Sequence, residues 1–195
     1  MNQNIKDIKS VIKHKRLNIL TTLSLGLFED KIIDISMIKK LLKSLTILIE
    51  YENIFLKEKP EFFIQNTSIE ELLETRNISC QKRLKQKNII KLIPKNSEVA
   101  IDKYYIGKSI DMICEYLCPF ITQITFIFNP KNRILNIKYT TQTKIHLKKL
   151  PLDTTLRNMS LEDQEIFLQL ALEILELHHC KVQFSHKSIS IQFPH

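Results

Sequence analysis

Apolar residues in the first sixty positions recur every three or four residues, in two separate runs. The first run extends from about residue 4 to 29, and its apolar positions are Ile5, Ile8, Ile12, Ile19, Leu23 and Leu27. The second extends from about residue 36 to 58, before Pro60, and its apolar positions are Ile38, Leu41, Leu42, Leu45, Leu48, Ile49 and Phe55. This spacing predicts two amphipathic helices with a short connection at 30–36.

Two long helices with a short link form a helical hairpin, which we assign to residues 1–60. A single hairpin of this kind leaves much of its apolar surface in contact with water. A second copy would cover that surface by completing a four-helix bundle. We therefore expect a homodimer.

Beyond Pro60 the pattern changes to alternating short helices and strands. The predicted elements are a helix from Ser68 to about Lys85, a strand at Asn88–Ile93, a helix at Asp102–Leu117, strands at Gln123–Asn129 and Arg133–Thr141, a helix at Leu161–His178, and strands at Lys181–Ser185 and Ser188–Phe193. The tetrad Asn129-Pro-Lys-Asn132 is a turn that joins two of these strands into a hairpin. The expected fold class is α+β, with an α/β sandwich over residues 61–195.

Glycine is scarce, because the 195 residues include only two, where average usage would give roughly 14. Glycine-rich loops that cradle phosphates are nearly excluded, since they need backbone that turns tightly and approaches the ligand closely. The segment Gly107-Lys-Ser109 is not such a loop, because Asp102 occupies the position of its first glycine.

The formal net charge is +8, and the basic residues cluster at 13–16, 39–43, 82–91 and 144–149. This charge is compatible with nucleic acid or an acidic protein as a partner, although solvated helix faces have the same composition. No cluster is a compact arginine-rich motif and no zinc-finger spacing accompanies them, so nucleic acid is not the expected partner. The cysteines Cys80, Cys114, Cys118 and Cys180 form no CxxC pair, so we expect buried, reduced thiols and no metal site. No apolar run approaches 18 residues, and the expected localisation is cytoplasmic, with no membrane partner.

The order of elements over almost the whole chain resembles that of a histidine kinase, in which a dimerisation and phosphotransfer hairpin precedes an ATP-binding domain. In the first helix, His14-Lys-Arg-Leu-Asn18 resembles the kinase H-box. In that motif an acidic residue directly follows the phosphorylated histidine, and Thr or Asn stands four residues after it. His14 and Asn18 match this pattern, whereas Lys15 replaces the acidic residue.

The ATP-binding motifs of this family are degenerate here. Asp102–Leu117 corresponds to the N-box helix, but the magnesium-ligating asparagine falls at Tyr116 and an earlier asparagine falls at Met112. Tyr139-Thr-Thr-Gln-Thr143 replaces the Asp-x-Gly-x-Gly turn, and Glu165-Ile-Phe-Leu168 replaces the Gly-Leu-Gly-Leu box. The resemblance therefore implies a degenerate kinase that binds no cofactor of its own and has no autokinase activity.

Because the nucleotide-binding motifs are degenerate, the remaining candidate catalytic residues are on the first helix. His14 and Asn18 lie one turn apart and are offset from the apolar stripe, so we expect His14 to be at least partly exposed. A neutral imidazole can accept a phosphoryl group or act as a base, and an amide can orient a water for in-line attack. In the family the residue four after the histidine performs the phosphatase step, and the acidic neighbour assists the kinase step.

The resemblance thus implies a cytoplasmic two-component sensor phosphatase of the BumS type, with His14 and Asn18 as catalytic residues. Its partner would be the receiver domain of a response regulator, which would itself bind Mg²⁺. Lys13, Lys15 and Arg16 flank the site and are predicted to dock the acidic receiver domain. A small-molecule effector could occupy the degenerate ATP pocket.

Three other interpretations stay open. In the first, the chain is a phosphorelay histidine phosphotransferase of the ChpT type, and His14 carries the phosphoryl group between two regulators. In the second, it is a non-catalytic basic scaffold or nucleic-acid-binding protein. In the third, His14 and Asn18 are ordinary surface residues of a helix.

Overall fold

The structure, a computed structural model of the chain, describes residues 3–28, 35–56, 61–74, 88–141, 145, 147 and 164–194. The chain divides into two compact units; among the described residues, the first comprises those up to Glu61 together with residues 164–166, and the second comprises the rest. The first unit contains the two N-terminal helices, and the second contains the β-sheets. No helix within the described ranges has the length and apolar character that a membrane crossing requires.

The N-terminal helices are α1, Gln3–Phe28, and α2, Ile35–Leu56. Both agree with the predicted runs to within two residues at each end. The two helices contact each other, as expected for a helical hairpin.

One apolar stripe on each helix forms the buried part of this hairpin. The side chains in it are Ile12, Ile19, Leu41 and Leu48. The spacing of seven residues within each helix places each pair on one face. Leu42 and Ile49, predicted on the same broad face of α2, are instead 48% and 39% exposed. Each follows a buried leucine, and a rotation of about 100° per residue turns it away from α1.

Within the described residues, the main sheet of the second unit has five strands. The elements beyond Glu61 are β1 (Gln65–Ser68), α3 (Ile69–Glu74), β2 (Asn88–Leu92), β3 (Glu98–Ile101), α4 (Lys103–Leu117), β4 (Ile121–Asn129), β5 (Ile134–Thr141), α5 (Gln164–Leu177), β6 (Lys181–Ser185) and β7 (Ser188–Gln192). The strand order is β2-β4-β5-β7-β6, with β2 parallel to β4 and the other pairs antiparallel. This mixed sheet with helices confirms the predicted α+β class.

Burial alternates along the central strands. In β4 the buried side chains include Phe126 and Phe128, and in β5 they are Leu135, Ile137 and Tyr139, while the residues between them are partly or fully exposed. One face of the sheet is therefore covered, and the two phenylalanines belong to the core. Burying an apolar side chain of this size contributes about 1.5–3 kcal/mol.

Helix α4 supplies much of the apolar surface of the second unit. Its buried aliphatic residues are Ile106, Ile110, Ile113 and Leu117, at the three- and four-residue spacing of one helix face. Asp102 precedes the helix and caps it, accepting hydrogen bonds from the backbone N–H groups of Tyr104 and Tyr105. The sequence pattern therefore predicted both the start and the end of α4.

The turn between β4 and β5 is the predicted tetrad. The side-chain oxygen of Asn129 accepts hydrogen bonds from the backbone N–H groups of Lys131 (3.0 Å) and Asn132 (3.4 Å). An asparagine side chain can replace a backbone acceptor in this way, which is why it favours turns.

The sequence pattern does not predict two of the strands, β1 and β3. β1 has the polar sequence Gln-Asn-Thr-Ser, and β3 is only four residues long; they form a separate antiparallel pair. The helix predicted from Ser68 is described as far as Glu74, and the Ser68 hydroxyl is 3.5 Å from the backbone N–H of Glu71. The rest of that predicted helix, and residues 161–163 of the last one, lie outside the described residues.

Candidate functional site

His14 and Asn18 lie on the side of α1 that points away from α2. Both are exposed, whereas Ile12 and Ile19 are fully buried. At 3.6 residues per turn, His14 and Asn18 stand roughly 150° and 110° from the midline of the buried stripe. The predicted exposure of His14 is confirmed, and a partner molecule can reach both side chains.

The side-chain amide of Asn18 is exposed, while its backbone carbonyl is used locally. The Thr22 hydroxyl donates a hydrogen bond of 2.9 Å to the Asn18 carbonyl oxygen. The amide lies at the surface, one turn from the imidazole of His14, where a water or a ligand can reach its donor and acceptor groups.

The three basic residues beside His14 differ in their surroundings. Lys13 is exposed, while Lys15 and Arg16 are half-buried. Arg16 points toward α2 and forms an ion pair with Glu52, whose side chain is 14% exposed. The charge of Arg16 is thus partly neutralised within the hairpin, and Lys13 presents its charge most openly. The docking role of all three residues stays a prediction.

The positions that the resemblance assigns to nucleotide and magnesium ligands carry apolar or phenolic side chains. Met112 of α4 is 3% exposed, and Tyr116 of the same helix is half-buried. Tyr139 of β5 is 4% exposed, and within the described residues its hydroxyl has no hydrogen-bond partner. Magnesium prefers carboxylate, carbonyl and water oxygens. None of these three side chains provides a carboxylate or an amide.

The environment of Tyr139 keeps its hydroxyl neutral. Burial raises the pKa of Tyr139, and the nearby phenol of Tyr116 raises it further. The two positions are therefore close together in space, although they are far apart in the sequence. Leu168, at the last position of the segment that replaces the Gly-Leu-Gly-Leu box, is 1% exposed within α5. The arrangement does not fit an ATP–magnesium site.

The cysteines and two further histidines are placed as follows. Cys114, Cys118 and Cys180 are buried, as predicted, and burial raises the pKa of the Cys180 thiol to about 12. Cys80, His146 and His195 lie outside the described residues, and most of the basic clusters at 82–91 and 144–149 do as well. Within the described ranges, no group of three or more His, Cys, Asp or Glu side chains is arranged to hold a metal ion.

Adjacent histidines follow α5 and have opposite environments. His178 is 4% exposed, whereas His179 is exposed with a backbone φ of 58°. His178 packs against Phe62 near Asp102, a cluster that the sequence pattern did not predict. The available signal was slight: a capping aspartate, and an aromatic residue two positions after Pro60.

The fold resembles that of a solved histidine kinase, AdeS of Acinetobacter baumannii, with a TM-score of 0.58 and 17% sequence identity. The match covers 91% of this chain and 94% of the AdeS chain. No protein-family profile matches the sequence, and a sequence search of curated proteins finds no match. The chain therefore has a histidine-kinase-like fold, which confirms the resemblance at the level of fold.

Proposed function

We propose that this chain is a two-component signalling protein that hydrolyses the aspartyl phosphate of a partner response regulator. The observation that carries the proposal is the exposed His14–Asn18 face of α1 in a histidine-kinase-like fold. The Asn18 amide would orient a water in line with the phosphorus atom, and His14 would act as a base toward that water. The phosphoryl group would leave as inorganic phosphate, and the aspartate would be regenerated.

The chain would have no autokinase activity. Met112, Tyr116 and Tyr139 supply neither a magnesium ligand nor a charged group for adenine recognition. Lys15 also replaces the acidic residue that assists kinase chemistry in the resembling family. The magnesium ion for phosphate hydrolysis would be bound by the receiver domain. A small-molecule effector at the former nucleotide positions would regulate the activity.

The regulator would dock on α1 around His14. A receiver domain presents acidic residues around its phosphorylated aspartate, and the net charge of +8 on this chain would steer such a partner toward it. The exposed Lys13 lies beside the candidate site. Rim charges of this kind mainly change the association rate and its dependence on salt.

The hairpin would act as a homodimer. Leu17 and Leu20 of α1 are 57% and 43% exposed, and Leu42 and Ile49 of α2 are 48% and 39% exposed. In both helices these side chains stand roughly 90–150° from the midline of the buried stripe, and antiparallel packing places both exposed stripes on one side of the hairpin. A second copy would cover that side and leave His14 outside the dimer core.

Phosphotransfer by His14 is the second candidate, because an exposed imidazole can also accept the phosphoryl group covalently. In that case the Nε2 or Nδ1 atom of His14 would attack phosphorus, the aspartate would leave, and a second regulator would receive the group. Asn18 favours hydrolysis over transfer, since an amide that orients water promotes loss of the phosphate.

The test measures where a labelled phosphoryl group is found after the reaction. A receiver domain, taken from the response regulator encoded nearest this gene, is phosphorylated with a radiolabelled small-molecule donor and mixed with the full chain. The expected result is rapid release of labelled inorganic phosphate, with no label held on this chain. Asn18→Ala should abolish the release while the regulator still binds, and Thr21→Ala, an exposed residue three positions further along α1, is the matched control.

Each other outcome has a definite meaning. Acid-labile label on this chain that disappears in His14→Ala would support phosphotransfer and contradict the phosphatase. Label that stays on the regulator would contradict both functions for that partner. Phosphate release that survives Asn18→Ala would remove this residue from the mechanism.

A further inference from the structure

At the start of the second unit, one aromatic side chain, Phe62, contacts residues of α4 and just past the end of α5. The ring of Phe62 lies against the imidazole of His178, with 3.8 Å between ring centroids and an interplanar angle of 40°. The same ring packs edge-on against Tyr105, at 5.7 Å and 79°. His178 directly follows α5, and Tyr105 lies in the first turn of α4. Phe62 therefore joins the start of this unit to α4 and α5.

The Asp102 carboxylate also connects this segment to α4, through hydrogen bonds. Its carboxylate is buried, and one oxygen accepts a hydrogen bond of 2.8 Å from the backbone N–H of Phe63. The other oxygen accepts from the backbone N–H groups of Tyr104 and Tyr105, at 3.0 and 3.1 Å. One carboxylate thus caps α4 and holds the backbone next to Phe62. Downstream of Phe63, β1 pairs with β3, which leads directly into Asp102.

His178 has one ring nitrogen in use and one without a partner. Its Nδ1 atom lies 2.8 Å from the Ile174 carbonyl oxygen, so this nitrogen donates the hydrogen bond of the neutral ring. Within the described residues Nε2 is buried and has no hydrogen-bond partner. Burial lowers the pKa of His178 from 6.5, against the opposing effects of the Ile174 hydrogen bond and the Asp102 charge, while His179 lowers it slightly further.

We infer that Phe62, Asp102, Tyr105 and His178 form an acid-sensitive clasp, which releases the segment Phe62–Ser68 from α4 and α5 when His178 is protonated at Nε2. The added proton would create a buried N–H group without an acceptor among the described residues and a positive charge that is shielded from water. Both changes are unfavourable in a buried site. Above pH 6.5 the clasp is closed, and it weakens as the pH falls below 6.5 and through the folded-state pKa.

The charged and titratable groups around His178 have unequal effects on this switch. Asp102 at the start of α4 favours the cation, while the neighbouring His179 opposes it. Tyr105 stays neutral, because burial and the Asp102 charge both raise its pKa. Burial of the imidazole is the largest effect, so opening on protonation is the expected direction. This inference depends on the second unit alone and not on phosphatase activity.

Hydrogen exchange tests the clasp on the full chain. Backbone amide protection of Phe62–Ser68 is measured by NMR at about pH 7.5 and about pH 5, on either side of the ordinary histidine pKa, after correction for intrinsic exchange. The expected result is a loss of protection at the lower pH that is larger in this segment, including the Phe63 N–H, than in β4 and β5. His178→Phe keeps an aromatic ring without a titratable nitrogen and should remove this difference.

Two further variants define the comparison. His186→Asn changes an exposed histidine in the turn between β6 and β7 and should behave like the unmodified chain. Phe62→Ala should lose protection of the segment at both pH values. The Ile174 carbonyl also accepts the backbone N–H of His178 at 3.1 Å, so the His178→Phe substitution does not leave that oxygen without a donor.

Equal protection of the segment at both pH values in the unmodified chain would overturn the inference. A pH-dependent loss that persists in His178→Phe would also overturn it, by assigning the effect to Asp102 or another group. If β4 and β5 lose protection in His178→Phe, the variant has failed to fold. In that case the unmodified chain provides the test. The inference requires the chemical shift of the Phe63 amide to titrate with the same midpoint as the His178 ring resonances, and different midpoints would overturn it.

Discussion

The two units use their polar side chains in opposite ways. In the helical hairpin, His14 and Asn18 are exposed on the face of α1 that does not contact α2. In the second unit, Asp102 and His178 are 5% and 4% exposed and hold backbone and aromatic groups of the same unit. A group that reacts with a partner has to be accessible, whereas the contacts of Asp102 and His178 are made within the second unit. Under the proposed function, the chemistry belongs to the hairpin, and these two side chains of the second unit stabilise its fold.

The largest effect is expected from Asn18→Ala. Removing the amide should abolish measurable regulator dephosphorylation, with a fall in rate of at least on the order of 10²-fold, since correct placement of the attacking water is lost. The free energy of unfolding should change by no more than about 0.5 kcal/mol, because the side chain is exposed. Phosphate release and urea unfolding measure the two quantities, with Thr21→Ala as control. A variant that lost stability but kept its dephosphorylation rate would mean that Asn18 stabilises the hairpin and takes no part in the reaction.

Asp102→Ala should do the opposite. The substitution removes the acceptor for three backbone N–H groups, and we expect the free energy of unfolding to fall by about 2 kcal/mol. Asp102→Asn keeps a side-chain oxygen and should lose less. Denaturant unfolding monitored by circular dichroism would compare them. Equal stabilities for the two variants would mean that the carboxylate charge, and not the acceptor oxygen, holds the segment.

Tyr139→Phe should leave the fold unchanged or stabilise it by up to about 1 kcal/mol, because the removed hydroxyl is buried without a partner among the described residues. Tyr104→Phe removes a hydroxyl from an exposed ring and is the control. Thermal unfolding of both variants checks the prediction. A clear destabilisation by Tyr139→Phe would indicate that this hydroxyl binds a group outside the described residues, such as an effector.

The smallest expected effect is that of nucleotide. Adding Mg²⁺ and ATP should not shift the thermal unfolding midpoint, because Met112, Tyr116 and Tyr139 replace the ligands that a kinase would use. A ligand at 100 times its Kd would stabilise the folded state by about 2.7 kcal/mol, which a melting curve detects easily. A nucleotide-binding histidine kinase is the positive control. A shift of the unfolding midpoint in this chain would mean that it binds nucleotide, and the chemistry would then not be confined to the hairpin.

The sequence-based predictions were accurate for elements that depend on local interactions, and they missed elements that depend on contacts between distant segments. α1, α2, α4 and the β4–β5 hairpin were predicted within a few residues, because helical periodicity, strand alternation and turn residues act over short distances. β1 and β3 were missed because each is four residues long and depends on pairing with the other. The same limit applies to Phe62 and His178, which are far apart in the sequence and meet only in the folded unit.

The sequence by itself determined the helical hairpin, the α+β class, the near absence of glycine and the spacing of His14 and Asn18. Each of these depends on residue type and local periodicity. Tertiary structure alone decided that Arg16 pairs with Glu52, that Tyr116 and Tyr139 approach each other, and that His178 is buried against Phe62. Burial and electrostatic environment depend on which distant segments pack together, and these decide whether a polar side chain reacts, binds or stabilises.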